Sequence, residues 1–326
     1  METLANNTLP EIAVSVQNLT KTYGKNKEVV AVDSVSFEVK RGELFGLIGP
    51  DGAGKTSLFR MLTTLLVPDD GVALVDGLDI VKDYKQIRNN VGYMPGKFSL
   101  YQDMTIAENL HFFATIFNTT VEANYHLIED IYVQIEKFKD RRAGKLSGGM
   151  KQKLALCCAL IHKPTVLFLD EPTTGVDPVS RKEFWEMLKR LKEQHITIVV
   201  STPYMDEATM CDRIALVQQG KILSIDTPEN IINSYPTTLY NVKATHMYPL
   251  LKALKKWEKA SNSYAFGEYA HLSMKKKPEA EQNGAKLNPN NLQEIMQYLH
   301  EEKLIGVEVK ETQPTIEDCF IHLLSS

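Results

Sequence analysis

The sequence predicts an α/β fold that is followed by a second, smaller α+β unit. Short apolar runs such as ELFGLIG (residues 43–49) and TVLFLD (165–170) are typical of strands buried in a parallel sheet. Segments with apolar residues at helical spacing separate such runs. A chain of 326 residues is long enough for one large domain and one small one.

The first unit is expected to begin with strands and then to become helical. The segments IAVSVQNLTKTY (12–23) and DSVSFEVK (33–40) alternate apolar and polar residues, which predicts half-buried strands. From about residue 97 to 160 the pattern indicates a helical subdomain. One of its helices is predicted from the spacing of apolar residues in YHLIEDIYVQIEKF (125–138).

Capping signals mark two helix starts. Thr105 and Glu108 form a capping-box pattern ahead of an apolar run. Asp177 is a suitable N-cap for a helix that ends near Gln194, and Pro178 fits its first turn. Both helices should therefore begin at these residues.

Strands return in the last part of the first unit. ITIVV (196–200) predicts a buried strand that runs into an acidic helix start, and RIALVQQGKILSID (213–226) predicts a hairpin. TPENIINSY (227–235) predicts a short helix started by a threonine and a proline. A boundary is expected near residues 232–238.

The second unit is expected to span residues 238–326. Its predicted order is strand, helix, two strands, helix and strand, and a last helix closes the chain. The order β-α-β-β-α-β indicates a small ferredoxin-like domain. No motif in it carries visible chemistry, so a structural or docking role is expected.

Charge and hydropathy argue against a nucleic-acid partner and against a membrane span. The net charge of -4 gives no reason to expect a nucleic-acid partner. No apolar run approaches the roughly 18 residues that cross a bilayer, and the first residues do not form a signal peptide. The lysine run at 275–277 is interpreted as a solvated loop. The cysteines lack metal-ligand or disulfide spacing, which predicts buried thiols. They are Cys157, Cys158, Cys211 and Cys319.

The segment GPDGAGKTS fits the phosphate-loop pattern G-x-x-x-x-G-K-[ST] between a predicted strand and a predicted helix. Glycines let backbone N–H groups close around phosphate oxygens. Lys55 would contact the β- and γ-phosphates of a nucleotide, and the Thr56 hydroxyl would bind Mg²⁺. The loop alone is compatible with kinases, GTPases and ATPases. The predicted ATP-binding loop consists of Gly49, Pro50, Asp51, Gly52, Ala53, Gly54, Lys55, Thr56 and Ser57.

A pair of acids follows the apolar strand in TVLFLDEP. Asp170 is expected to hold Mg²⁺, directly or through water, and Glu171 to polarise the attacking water. An acidic pair could simply cap a strand. Together with the phosphate loop, the pair favours nucleotide hydrolysis with ATP and Mg²⁺ as the ligands.

The segment LSGGMKQ, just ahead of this strand, completes a resemblance to the nucleotide-binding subunits of ABC transporters over roughly residues 12–230. The resemblance implies a P-loop NTPase domain at residues 1–232, whose Ser-Gly-Gly turn grips the γ-phosphate of ATP bound to a second subunit. Exposed N–H groups at a capped helix start suit an anion. The predicted signature residues are Leu146, Ser147, Gly148, Gly149 and Gln152.

The same resemblance implies two further roles. Tyr23 corresponds to the aromatic residue that stacks on adenine, although a tyrosine near a strand end can equally be a packing residue. Asp177 corresponds to the residue that links the two ATP sites across the dimer, and this role is compatible with its N-cap role.

Two positions depart from the family pattern. Gly96 stands where the family usually has a glutamine that contacts Mg²⁺ and water, and Pro203 stands where it has the histidine that senses the γ-phosphate. Gln102 and His195 lie several residues away from those positions. The sequence therefore favours a heterodimer in which this chain completes a partner's site while its own site hydrolyses ATP slowly. A homodimer that relies on Glu171 alone is the alternative.

The segments TGVDPVSR, STPYMDEA and PTIEDCFIHLL resemble the export branch of the family. This resemblance implies an ATPase that pairs with separate multi-span permeases and drives out drugs, lipids or polysaccharides from the inner face of the cell membrane. It also implies a cytoplasmic location. A permease helix would seat in the helical segment after Gly96. The alternatives are soluble ABC ATPases that act on DNA or ribosomes and regulatory modules that bind nucleotide without turnover.

Overall fold

The computed structural model describes residues 10–275 and 290–325, with only the backbone of residue 290. The first nine residues and the last two lysines of the basic run lie outside this part of the chain. The chain divides into two compact units, Met1–Ile231 and Ile232–Ser326.

The first unit contains two sheets. One has four antiparallel strands in the order β2-β1-β4-β5. The other has the order β10-β9-β3-β8-β7-β6, in which all neighbours are parallel except β10 and β9. The strands are β1 (Ile12–Tyr23), β2 (Val29–Lys40), β3 (Leu44–Ile48), β4 (Asp70–Val75), β5 (Leu78–Asp79), β6 (Val91–Met94), β7 (Val166–Asp170), β8 (Thr197–Thr202), β9 (Arg213–Gln218) and β10 (Lys221–Asp226).

Helices cover the parallel sheet and form the helical subdomain. They are α1 (Lys55–Leu62), α2 (Tyr84–Asn90), α3 (Ile106–Ile116), α4 (Tyr125–Tyr132), α5 (Gly148–Leu160), α6 (Pro178–Glu193) and α7 (Pro228–Asn233). Short 3-10 turns occur at Glu136–Phe138, Ala143–Lys145 and Met205–Met210.

The parallel strands form the core, as their apolar sequences predict. Every residue of β3, β7 and β8 is buried. Phe59 of α1 packs edge to face against Phe168 of β7, with ring centroids 5.8 Å apart. Such contact between helix and sheet buries the apolar surface that stabilises the layers and fixes where the strand ends lie.

The predicted helix starts are confirmed. The Thr105 hydroxyl accepts a hydrogen bond from the Glu108 amide, and the Glu108 carboxylate accepts one from the Thr105 amide. The Asp177 carboxylate accepts hydrogen bonds from two amides at the start of α6. The expected hairpin is formed by β9 and β10.

The helix predicted over residues 125–138 is too long. It ends at Tyr132, and only the 3-10 turn Glu136–Phe138 follows. Val133 is 57% exposed whereas Ile135 is completely buried. The chain therefore turns to bury Ile135, and this tertiary contact overrides the helical spacing.

The second unit has the predicted element order. Its elements are β11 (Leu239–Lys243), α8 (Met247–Lys256), β12 (Ala260–Phe266), β13 (Tyr269–Met274), α9 (Asn290–Glu301), β14 (Glu308–Thr312) and α10 (Ile316–Ser325). The sheet order is β12-β13-β11-β14, with antiparallel neighbours throughout. This is a split β-α-β arrangement.

All four cysteines are free and buried, as predicted. Among the described residues, no helix combines the length and the apolar character that a membrane span requires.

Candidate functional site

The carboxyl ends of three parallel strands bring the predicted motifs together. In the sheet register, Ile48 at the end of β3 lies opposite Thr202 of β8, and Asp170 at the end of β7 lies opposite Ser201. The phosphate loop follows β3, the acidic pair ends β7, and Pro203 follows β8. Ligands of open parallel sheets bind at this edge.

The phosphate loop connects β3 to α1 and depends on glycine at two positions. A Cβ atom on Gly54 would lie 2.1 Å from the carbonyl oxygen of Ala31, and the φ angle of Gly54 is +102°. A Cβ atom on Gly49 would lie 2.1 Å from the carbonyl oxygen of Val217. Glycine therefore keeps the loop closed against the neighbouring backbone and allows an anion to approach the loop closely.

We expect Gly54→Ala to lower the free energy of unfolding by about 2–4 kcal/mol, because it adds both a clash and a strained φ angle. Gly52→Ala is the matched control. Its φ angle is +78°, but its Cβ atom would meet nothing within 4 Å. The control should therefore cost only about 1 kcal/mol. The free energy of unfolding of both variants is measured by urea unfolding. The unfolding is followed by the fluorescence of Trp185 in a Trp257→Phe background. Equal losses would contradict the steric argument.

Lys55 is the cation at the centre of the loop. Its side chain is only 2% exposed. The ammonium group donates hydrogen bonds to the carbonyl oxygens of Gly49 (2.8 Å) and Pro50 (3.0 Å). It also forms an ion pair with Glu171, with 3.2 Å between Nζ and Oε1. The structure thus brings together the predicted phosphate-binding lysine and the predicted catalytic carboxylate.

Thr56 and Asp170 form the predicted metal-binding pair. The Thr56 hydroxyl donates to Asp170 Oδ1 at 3.2 Å, and Asp170 is buried. A hydroxyl beside a carboxylate supplies the oxygen ligands that Mg²⁺ prefers. Burial of the nearby Tyr93 side chain, together with the negative charge of Asp170, raises the pKa of Tyr93 to about 12. Tyr93 is therefore neutral at physiological pH.

The two departures from the family pattern lie beside these groups. A Cβ atom on Gly96 would lie 3.0 Å from the carbonyl oxygen of Asp170 and 3.7 Å from Cβ of Glu171. Pro203 directly follows Thr202, whose carbonyl oxygen accepts a hydrogen bond from the first amide of the phosphate loop at 3.2 Å. Neither residue offers a polar side chain to the acidic pair.

The signature segment forms the start of α5. The Ser147 hydroxyl caps this helix by accepting a hydrogen bond from the Met150 amide. Ser147 and Gly148 are exposed, whereas Leu146 is buried. The Gln152 side chain donates to the carbonyl oxygen of Pro172, the residue after the acidic pair. The exposed N-terminus of α5 can therefore contact a second molecule while Gln152 anchors the helix to the site.

Gly149 and Asp177 lie where α5 and α6 start. A Cβ atom on Gly149 would lie 2.9 Å from the Ser180 hydroxyl. Hydrogen bonds from the Ser180 backbone and side chain, with help from the Val179 amide, lower the pKa of Asp177. Asp177 is thus a charged N-cap next to the signature turn.

Tyr23 lies at the end of β1 and is 39% exposed. Its hydroxyl is 3.1 Å from the Ser57 hydroxyl. In the loop itself, Asp51 and Gly52 are exposed and Ala53 is buried. The Tyr23 ring therefore adjoins the phosphate loop, with one side accessible to a ligand.

Two buried polar residues at this edge lie in the segment STPYMDEA, but the motifs assign them no role in the site. Ser201 contacts both acids of the Asp170–Glu171 pair. Glu207 is 3% exposed and accepts hydrogen bonds from Thr173 and Arg181. A serine ending an apolar strand was the available signal for Ser201, while the buried state of Glu207 has no sequence signal.

Comparison with known proteins identifies close relatives of the first unit. Residues 32–174 match the family described as ABC transporter. The chain is 43% identical over 223 residues to a probable multidrug ABC transporter ATP-binding protein of Escherichia coli, covering 68% of this chain but only 38% of that protein. It is 36% identical over 229 residues to the Nod factor export ATP-binding protein I of Burkholderia lata, covering 69% of this chain and 74% of that protein.

Solved structures agree with the fold. CbiO1 of Clostridium perfringens, part of an ABC transporter complex, gives a TM-score of 0.61 at 25% identity over 69% of this chain and 92% of that chain. The dimeric ATP-binding cassette MJ0796, bound to ADP and Pi, gives a TM-score of 0.60 at 25% identity over 66% of this chain and 98% of that chain.

Proposed function

The chain belongs to the family of ABC transporter ATP-binding proteins, and from this premise we propose that it binds and hydrolyses ATP to drive a separate membrane permease in export. The observation that carries the proposal is the contact of buried Lys55 with Glu171, beside Thr56 and Asp170, at one end of the parallel sheet. The ATP-binding domain is assigned to residues 1–232 and an accessory domain to residues 238–326.

Nucleotide binding would begin at the phosphate loop. The β- and γ-phosphates would attract Lys55 away from Glu171, because a phosphate carries more negative charge than a carboxylate. The freed Glu171 carboxylate, which is 22% exposed, would then accept a proton from the attacking water. Tyr23 would cover the adenine ring.

Mg²⁺ fits the pair formed by Thr56 and Asp170. When bound there, it would neutralise charge on the phosphate oxygens. The two side chains would have separate roles: the Thr56 hydroxyl would bind the ion, and Asp170 would hold it directly or through water. The buried position of Asp170 keeps its carboxylate in one orientation for this task.

The second ATPase subunit is proposed to be a different chain. The helix start is capped, and Ser147 and Gly148 are exposed there, which suits it to the γ-phosphate of ATP on the partner. Gly96 and Pro203 leave the chain's own site without two polar groups. The lack of these two groups supports a heterodimer with one full and one impaired site, and a homodimer is the alternative.

The permease is proposed to dock on the helical subdomain. A groove of about 590 Å³ lies along α3. Apolar side chains dominate it, among them Met104, Phe112 and Ile116. An amphipathic helix from a multi-span permease would bury these side chains. Such docking would hold the chain at the inner, cytoplasmic face of the membrane.

A regulatory or otherwise permease-independent ABC ATPase is the second candidate. The observation that favours it is the lack of polar side chains at Gly96 and Pro203. The Glu171 carboxylate favours hydrolysis instead. Fractionation separates the two: an export ATPase should sediment with membranes through its permease, whereas a permease-independent ATPase should stay in the soluble fraction after salt washing.

ATP turnover by the purified chain, alone and mixed with a consensus ABC ATPase subunit, tests the heterodimer. We expect low turnover alone, high turnover in the mixture, and loss of the gain with Ser147→Ala. Thr105→Ala is the matched control, because it also removes an N-cap hydroxyl from the helical subdomain. Brisk turnover by the lone chain that Ser147→Ala abolishes would identify a homodimer instead.

A further inference from the structure

The end of β8 supplies one polar side chain to the acidic pair even though Pro203 supplies none. Ser201 is completely buried, and its hydroxyl lies 2.7 Å from Asp170 Oδ1. The Glu171 amide donates to the same hydroxyl at 3.0 Å and to the Ser201 carbonyl oxygen at 3.0 Å. A single residue thus contacts both acids.

The direction of these hydrogen bonds is determined by chemistry. A backbone amide can only donate, so the Ser201 oxygen accepts from Glu171. The one hydroxyl hydrogen of Ser201 is then left for the Asp170 carboxylate. Together with the hydroxyl of Thr56, it fixes Oδ1 of Asp170 from two sides.

The backbone of Glu171 needs such support. Its φ angle is +50°, in the left-handed region that a non-glycine residue rarely occupies. Strained residues of this kind persist only where the surrounding structure holds them. The double hydrogen bond from the Glu171 amide to Ser201 holds this conformation, in which the carboxylate reaches Lys55.

We propose that Ser201 is a positioning residue for ATP hydrolysis. Its hydroxyl orients Asp170 toward Mg²⁺, and it holds the Glu171 backbone so that the Glu171 carboxylate can activate the attacking water. It acts through the two acids, which are its hydrogen-bond partners at the site. The inference rests on the proposed ATPase function. Through Ser201, the end of β8 contributes a polar side chain to the acidic pair although position 203 is a proline.

The test compares Ser201→Ala, Ser201→Thr and the control Thr197→Val in the full chain mixed with a consensus ABC ATPase subunit. The catalytic glutamate of that subunit is replaced by glutamine, so that turnover reports only the site of this chain. Thr197 is on the same strand, is completely buried, and its hydroxyl accepts from the Gly42 amide at 3.0 Å, away from the site. Each variant is measured for kcat, KM for ATP, the Mg²⁺ concentration at half-maximal rate, and hydrogen exchange at the Glu171 amide.

We expect Ser201→Ala to lower kcat, or to raise the Mg²⁺ requirement, by about 10–100-fold with little change in KM for ATP. Its Glu171 amide should exchange faster. Ser201→Thr keeps the hydroxyl and should restore most of both properties. Thr197→Val should lower the free energy of unfolding without changing the activity or the exchange of the Glu171 amide.

Two outcomes would overturn the proposal. In the first, Ser201→Ala and Thr197→Val lose the same activity and show the same exchange at Glu171, so Ser201 is only structural. In the second, Ser201→Thr folds but restores neither the wild-type activity nor the slow exchange of the Glu171 amide. If the wild-type mixture does not hydrolyse ATP, the proposed function fails, and the exchange measurement still decides whether Ser201 holds Glu171.

Discussion

Glu171→Gln is expected to reduce ATP turnover at this chain's own site, measured without a second ATPase subunit, by about 100- to 10,000-fold, the usual contribution of a general base. The glutamine keeps the size and the hydrogen-bonding capacity of the side chain but cannot accept a proton from water. It also removes the negative charge that pairs with Lys55 in the structure. Binding of ATP should therefore persist or become tighter. Turnover and equilibrium binding of a fluorescent ATP analogue measure the two effects.

Glu183→Gln provides the comparison for this variant. Glu183 pairs with Lys153 at 2.9 Å, and its side chain is 47% exposed. This surface ion pair is worth at most about 1 kcal/mol, so its loss should leave turnover unchanged. If Glu171→Gln retained wild-type turnover, another group would have to activate the water, and our assignment of Glu171 would be wrong.

Lys55→Ala is expected to weaken ATP binding by about 100-fold or more, because it removes a charged donor to the phosphates from a buried position. The variant also removes the ammonium donor to the carbonyl oxygens of Gly49 and Pro50, although the Pro50 oxygen still accepts from the Ala53 amide. Some loss of stability should accompany the loss of binding. Calorimetric titration with ATP and Mg²⁺ measures the affinity, and urea unfolding shows whether the variant remains folded.

Lys82→Ala is the control for general charge effects. The Lys82 side chain is 82% exposed and lies 3.6 Å from Asp79 on the same short segment. Its removal changes the net charge by the same amount and should leave ATP affinity unaffected. Wild-type affinity in folded Lys55→Ala would show that the phosphates bind elsewhere.

Together, the two main variants separate binding from chemistry. Lys55→Ala should lose ATP binding and, as a consequence, turnover. Glu171→Gln should lose turnover alone. If both variants lost ATP binding, the ion pair between Lys55 and Glu171 would be needed to maintain the phosphate loop. A Glu171→Asp variant, which keeps the negative charge, would then separate this structural role of Glu171 from its role in water activation.

The sequence by itself determined the main buried strands, several helix starts and the residues of the motifs. Buried parallel strands, the capping box at Thr105 and the N-cap at Asp177 are local features, because each follows from a few neighbouring side chains. The phosphate loop is similarly local, since its glycines, Lys55 and Thr56 are contiguous. The family followed from these motifs, their order and their spacing.

Tertiary structure decided which groups meet at the end of the sheet. The contact of Lys55 with Glu171 and the contact of Asp170 with Ser201 join residues far apart in the chain. Only the parallel register of β3, β7 and β8 brings them together, and no periodicity in the sequence encodes it. The early end of α4 has the same origin, because burial of Ile135 required the chain to leave the helical path.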